Sequence, residues 1–233
     1  MATVILLDSG YFVGRIQKHW SPKGKMRRAH NQFKKKKINW FQRQYQFQKA
    51  LNGDMGYIEV VMSRMRVNPK YDKSCSLIIC FDGIKGRQLR GALYDGYKAN
   101  RTFAADGAST HEGRDIREVF SSSGLEVNDL KPRWTTQYDE NKEADDLIAE
   151  LCTSELLLGN KVVILSGDAD LFQLLRYPNV RIHNFKKEVT HDDVKERYGV
   201  APEHFADWKA LAGDASDNIP GVHGIGERRR LHY

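Results

Sequence analysis

Three times along this chain an apolar run stops at an acid. Thr3–Leu7 ends at Asp8, Ser76–Phe81 ends at Asp82-Gly83, and Val162–Leu165 passes through Ser166-Gly167 to Asp168 and Asp170. Short runs of β-branched and Leu residues bounded by Ser, Gly and Asp read as buried strands. Helical patterns separate them, so the expected fold class is α/β, with a mainly parallel central sheet flanked by helices. In open sheets of that kind ligands bind beyond the carboxyl ends of the strands, which is where these acids fall. Asp168 and Asp170, two apart in extended chain, are expected to point the same way. Adjacent unpaired carboxylates repel, and a cation between them removes the repulsion.

More acids follow the pattern. Glu143-Ala144-Asp145-Asp146 opens a helix expected to reach Leu158. Acids suit the positive end of a helix dipole, but three in four residues exceed what a cap needs. Glu143 and Asp146 share a face at i, i+3, and Asp214 and Asp217 repeat that spacing inside the glycine-rich run Gly213–Gly226. Closely spaced glycines there would let the backbone approach a phosphate. The candidate set is Asp8, Asp82, Glu143, Asp145, Asp146, Asp168, Asp170, Asp214 and Asp217. No His or Cys accompanies it at ligand spacing, and an all-oxygen set suits Mg²⁺ or Mn²⁺ rather than zinc.

Charge is unevenly distributed. The net charge is +7, yet Ser9–Gly53 holds 12 Lys and Arg and no acid, leaving 25 bases against 30 acids elsewhere. A basic block beside an acidic body suggests a polyanion grip next to a metal-binding centre. Arg15 and the run Lys34, Lys35, Lys36 and Lys37 are candidate phosphate contacts, and interleaved aromatics such as Phe33 and Trp40 could stack on unpaired bases. The expected elements here are a helix Trp40–Leu51, a break at Asn52-Gly53-Asp54, and a second helix Met55–Val67. Gly86–Arg101 is expected to be a basic helix carrying Arg87, Arg90, Lys98 and Arg101, and Asn128–Lys142 an irregular insertion. Cys75, Cys80 and Cys152 are an odd count without metal-ligand spacing, as expected in a reducing compartment. No apolar run approaches the length of a membrane span and no signal-peptide pattern opens the chain. A cytoplasmic monomer is the resulting expectation.

Together, Asp8, Phe81-Asp82-Gly83, Tyr97-Lys98-Ala99-Asn100-Arg101, Glu143-Ala144-Asp145-Asp146, Ser166-Gly167-Asp168-Ala169-Asp170 and Gly213–Gly226 resemble the 5′-nuclease family. That family comprises phage flap endonucleases and 5′→3′ exonucleases, and the 5′-nuclease domain of bacterial type I DNA polymerases. The resemblance implies a PIN-like nuclease core over residues 1–190, into which this chain's own basic block is inserted at about 16–53. It also implies a helical region at 191–233 with an incomplete helix–hairpin–helix element.

The function it implies is metal-dependent hydrolysis of DNA phosphodiesters near 5′ ends or flaps, RNA primers being a further substrate, with two Mg²⁺ or Mn²⁺ ions. Asp8, Asp82, Glu143, Asp145 and Asp146 would form the tighter cluster, and Asp168, Asp170, Asp214 and Asp217 the second. Lys98 and Arg101 would act at the scissile phosphate beside Asp82 and Asp146, and Tyr97 would stack on a terminal base. Arg15, Arg87 and Arg90 would contact DNA, as would the hairpin glycines Gly221, Gly224 and Gly226, with K⁺ bound near Ser216. Two other readings stay open: a ribonuclease acting on RNA–DNA hybrids, and a non-catalytic, structure-selective DNA-binding protein. The chain departs from the family pattern in its basic block and in Thr102–Lys142, which carries eight acids against five bases where the family builds an arch.

Overall fold

The computed structural model describes residues 1–10, 28, 31–32, 34–37, 40–83, 85–99 and 134–223. Six strands form one sheet: β1 (Thr3–Asp8), β2 (Cys75–Phe81), β3 (Trp134–Tyr138), β4 (Lys161–Leu165), β5 (Val180–His183) and β6 (Glu188–Val189). Their order is β3-β2-β1-β4-β5-β6. The first five are parallel and β6 is antiparallel to β5. β1 pairs with β2 on one side and β4 on the other, so the winding reverses between β1 and β4. Such a reversal leaves a crevice at the carboxyl ends of the two strands, and the expected fold class is observed.

The apolar runs are explained by burial on both faces. Val4 and Leu6 of β1 pack with Val162 and Ile164 of β4, and with Ala144, Leu147, Ile148 and Cys152 of helix α3 (Ala144–Leu157). Ile5 and Leu7 alternate to the other face and are equally buried. Each such side chain contributes roughly 1.5–3 kcal/mol of burial, which fixes the strand ends and the acids that follow them. Beyond β6, α4 (His191–Tyr198) starts at a Thr190–Asp193 capping box and ends at Gly199 in the left-handed region. Tyr198 then joins Phe172, Phe205 and Trp208 in an aromatic cluster that seats α5 (Phe205–Ala212) on the sheet.

Several expectations are corrected. Trp40–Arg64 is one helix, α1, running through Asn52-Gly53-Asp54. An internal glycine costs a helix only about 1 kcal/mol, and α1 buries Ile58, Val61 and Met62 just beyond it. The helix expected over Gly86–Arg101 ends at Leu93 (α2, Gly86–Leu93), and 94–99 form turns with Lys98 at φ 54°. Asp95-Gly96 is turn chemistry, and it stops the helix. Asn128–Lys142 contains β3, an edge strand whose outward residues are polar, so alternation did not mark it. The three cysteines are free and buried. Burial pushes the Cys80 and Cys152 thiols up to about 12. No described helix is long and apolar enough to cross a membrane.

Candidate metal and phosphate site

The sheet register brings the acids together. Asp8 ends β1 one residue past the Leu7–Leu165 pair, beside Ser166 at the end of β4. Ser166 Oγ donates to Asp8 Oδ2 at 2.7 Å and accepts from Asp168 N at 3.0 Å, so one hydroxyl fixes both acids. Gly10 N donates to Asp8 Oδ1 at 2.7 Å. Asp168 keeps an extended backbone, at φ −77° and ψ 127°, but it caps the 3₁₀ helix Ala169–Arg176 and accepts from Asp170 N at 2.9 Å. Asp170 already lies in that helix, so the chain is not extended across the pair as expected.

On the other side of β1, Asp82 leaves β2 and accepts from Ala144 N at 2.8 Å, capping α3 from a different strand. The turn that allows this needs Gly83: a β-carbon there would lie 2.1 Å from the Asp139 carbonyl oxygen. Glu143 N donates to Asp146 Oδ2 at 3.0 Å, the reciprocal half of a capping arrangement.

Cations fill the spaces between these acids. Arg90 Nη1 donates to Glu143 Oε2 at 2.7 Å and to Tyr97 Oη at 2.9 Å, and Nη2 to Asp146 Oδ1 at 2.6 Å. Lys98 Nζ donates to the same Glu143 oxygen at 2.7 Å and stands 3.9 Å from Asp217. Lys209 Nζ, from α5, lies 2.5 Å from both Asp170 Oδ1 and Asp214 Oδ2. Among the described residues no group of three acids, His or Cys closes on a single point.

Main chain ties the two sides of the site. Lys98 N donates to Asp217 O at 2.7 Å, and Asn218 Nδ2 to Gly96 O at 2.7 Å. Asp217 and Asn218 lie in the connection between β7 (Gly213–Asp214) and β8 (Ile219–Pro220). Gly213 sits at φ 77°, and a β-carbon on it would stand 2.3 Å from Gly221 N. These two glycines are required by a close crossing of the chain with itself. Gly221 thus has a packing reason to be glycine, besides the phosphate contact expected of it.

Electrostatics distinguishes the acids. Burial, with Asp82 and Asp168 as negative neighbours, lifts Asp8 to about 6 against the hydrogen bonds from Ser166 and Gly10. Burial lifts Asp145 to about 6 despite Arg90, and Asp168 is also raised, chiefly by burial. Burial acts the same way on Asp214, but Lys209 and Ser216 outweigh it and hold that carboxyl at about 2. Desolvation opposes the charge on Arg90 and Lys98, and their acidic partners prevail, raising both.

The set therefore fits a hard divalent cation in chemistry: all donors are oxygen, burial raises Asp8 and Asp145 although Arg90 stands 3.4 Å from Asp145, and buried Asp170 Oδ1 holds only the Lys209 ion pair among the described residues. In spacing, Arg90 and Lys209 occupy part of the volume that ions would take.

The expected DNA contacts divide. Lys34, Lys35, Lys36 and Lys37 are exposed. Arg87 donates to Lys98 O at 3.0 Å and Arg90 is committed to acids, so both serve the site's architecture. Tyr97 is 7 % exposed, its hydroxyl donates to Glu143, and Lys98 covers its ring at 4.8 Å. Little of the ring is therefore exposed for the stacking expected of it. Arg15, Arg101, Gly224 and Gly226 lie outside the described residues. Ser166, Lys209 and Asn218 were not anticipated. Lys209 could have been noticed as the single charge in Trp208–Ala212, between an aromatic and small apolar residues.

Residues 28–199 match the model of the 5′-3′ exonuclease N-terminal, resolvase-like domain. The chain is 34 % identical over 184 residues to a DNA polymerase I of Caldicellulosiruptor bescii, covering 76 % of this chain and 20 % of that protein. It is 33 % identical over 164 residues to a 5′-3′ exonuclease of Buchnera aphidicola, covering 70 % and 53 %. It thus spans about a fifth to a half of these relatives. Among solved structures, the zinc-bound 5′-exonuclease of bacteriophage T5 superposes with a TM-score of 0.62 at 22 % identity, over 98 % of this chain and 73 % of that one. A T5 flap endonuclease complex with DNA and metal ions gives 0.62 at 20 %, over 98 % and 72 %. These two likenesses concern the fold.

Proposed function

Since the chain belongs to the 5′-3′ exonuclease family through its N-terminal, resolvase-like domain, we propose that it hydrolyses DNA phosphodiesters near 5′ ends or flaps. The observation that carries this is the crevice between β1 and β4, where Asp8 and Asp168 share the Ser166 hydroxyl, Asp82 lies near enough to act on Asp8, and Asp170 and Asp217 on Asp168. Asp8, Asp82, Glu143, Asp145 and Asp146 would hold one divalent ion, and Asp168, Asp170, Asp214 and Asp217 a second. Ions bound there supply a water of lowered pKa and offset charge on the leaving oxygen.

The chain's own residues do the rest. Ser166 and Ala144 N hold Asp8 and Asp82 in place before any ligand arrives. Arg90 keeps Glu143 and Asp146 from separating under their mutual repulsion. Lys98 stands on Glu143 at the mouth of the crevice, where its ammonium can offset charge building on the phosphoryl oxygens. The exposed lysines 34–37 supply non-specific attraction to the phosphate backbone.

The test is cleavage of a labelled 5′-flap duplex, an RNA–DNA hybrid and single-stranded RNA, each with Mg²⁺ or EDTA. The flap duplex should be cut with Mg²⁺ alone, and Asp168→Asn with Asp170→Asn should abolish it. Undiminished cleavage by that double variant refutes the site, and preference for the hybrid reassigns the substrate.

A further inference from the structure

Beside the acids lies a cavity of about 410 Å³, and its chemistry is not that of a metal site alone. Arg90, Lys209 and the acids form its polar side, Tyr94 and Ile219 line it as apolar walls, and Tyr97 borders it with little of its ring exposed. Tyr94 is the residue on which α2 ends, and it is 42 % exposed; Ile219, at the start of β8, is 41 % exposed. The Tyr94 ring is folded over Gly96, so closely that a β-carbon there would lie 2.4 Å from its Cζ. Gly96 is in turn held by Asn218, the residue before Ile219, through its carbonyl oxygen. The two apolar walls are therefore fixed relative to each other by one hydrogen bond and one glycine. Unlike buried Tyr97, the Tyr94 hydroxyl has no hydrogen-bond partner among the described residues, and its ring is not covered by a lysine.

We infer that this cavity is a base-binding subsite, with Tyr94 as its stacking wall, for a nucleotide of the DNA strand at the crevice. The inference rests on the nuclease reading above and deepens it. A nucleotide has the same division as the cavity: a flat, apolar-faced base and an anionic phosphate. Stacking on an aromatic is tolerant of sequence because every base has a π-face. The cavity's volume falls in the range of sites that enclose small organic groups. Placing the base between Tyr94 and Ile219 leaves the phosphate toward the cations and the acids. Recognition by stacking together with backbone charge would position a strand without reading its sequence.

The test uses the whole chain in EDTA, so that no cleavage intervenes. The probe is a 5′-flapped DNA duplex carrying 2-aminopurine at the first or second nucleotide from the 5′ end. Stacking quenches that fluorophore. The wild type and Tyr94→Phe should quench it. Tyr94→Ala and the larger but non-aromatic Tyr94→Leu should leave it bright, with affinity about tenfold weaker and unchanged circular dichroism. Equal quenching and affinity in Tyr94→Leu, or no quenching by the wild type, overturns the subsite. If the wild type quenches but cuts nothing with Mg²⁺, the nuclease reading fails and the subsite stands. If it cuts but Tyr94→Leu quenches as well as the wild type, the converse holds.

Discussion

Lys209 Nζ stands 2.5 Å from Asp214 Oδ2, and the same ammonium is 2.5 Å from Asp170 Oδ1. A divalent ion bonded to both carboxylates would need the space that this ammonium fills. Removing the ammonium should leave two acids facing each other. Lys209→Gln is expected to lower the melting temperature in EDTA by a few degrees, equivalent to about 1–2 kcal/mol for a partly exposed pair. Mg²⁺ should then restore more stability to the variant than it adds to the wild type. Thermal denaturation with and without Mg²⁺ measures both. An equal Mg²⁺ increment in the two proteins would mean that lysine and ion do not compete.

The pH dependence of the metal-free protein should run opposite to ordinary acid denaturation. Asp8 and Asp145 are raised by burial to about 6 from a reference of 3.8. The folded state then binds these protons more tightly than the unfolded state. Stability therefore increases as pH falls from 7 towards 4, and the penalty is complete above 6. Asp8→Asn should stabilise the protein in EDTA at pH 7.5 by roughly 1–3 kcal/mol, seen as a higher melting temperature, and the gain should shrink through pH 6 and vanish near pH 4. Melting curves across that range give the sign directly.

Arg90 should not be replaceable by lysine. Its two terminal nitrogens reach Glu143 and Asp146 separately, at 2.7 and 2.6 Å, a fork that an ammonium lacks. Arg90→Lys is expected to reduce cleavage of a 5′-flap duplex by at least about tenfold. Lys98→Ala should reduce it by about 10²–10³, with a small effect on DNA affinity. Single-turnover rates at saturating protein separate this from weaker binding.

Glycines at the site's turns should be intolerant of alanine. At Gly83 the new carbon would meet the Asp139 carbonyl, and at Gly213 it would meet Gly221 N with φ at 77°. Each substitution should destabilise by roughly 2–4 kcal/mol. Gly53→Ala, where a β-carbon meets nothing within 4 Å, should be neutral or slightly stabilising. Urea titrations of the three variants test the contrast.

The exposed run Lys34–Lys37 should act through salt-dependent attraction. Replacing all four by Gln is expected to weaken DNA binding uniformly across sequences. The slope of log K against log salt should fall by roughly 1 for each lysine that contacts phosphate. Fluorescence anisotropy at several salt concentrations measures it, and an unchanged slope would place the block elsewhere in the protein's function.

The strands and the acids at their ends were legible because burial on both faces forces unbroken apolar runs, and the turn after each run needs a polar residue. β3 was not legible, because an edge strand with polar outward residues lacks that run. The continuous helix through Gly53 was missed because local propensity is weaker than the burial of Ile58 and Met62. Asp8, Asp82 and Asp168 are brought near one another as their spacing suggested. Their partners were not legible: Ser166 touches Asp8 across 158 positions and Arg90 reaches Asp146 across 56, and neither contact leaves a local pattern. Tyr97 stands beside the key lysine in sequence, and only packing reveals that its ring is enclosed.

The bond from Lys98 N to Asp217 O is made by peptide groups, so no side-chain replacement removes either atom, except proline at position 98. Drift can therefore alter the charges on this part of the molecule while the distance between its halves is inherited unchanged.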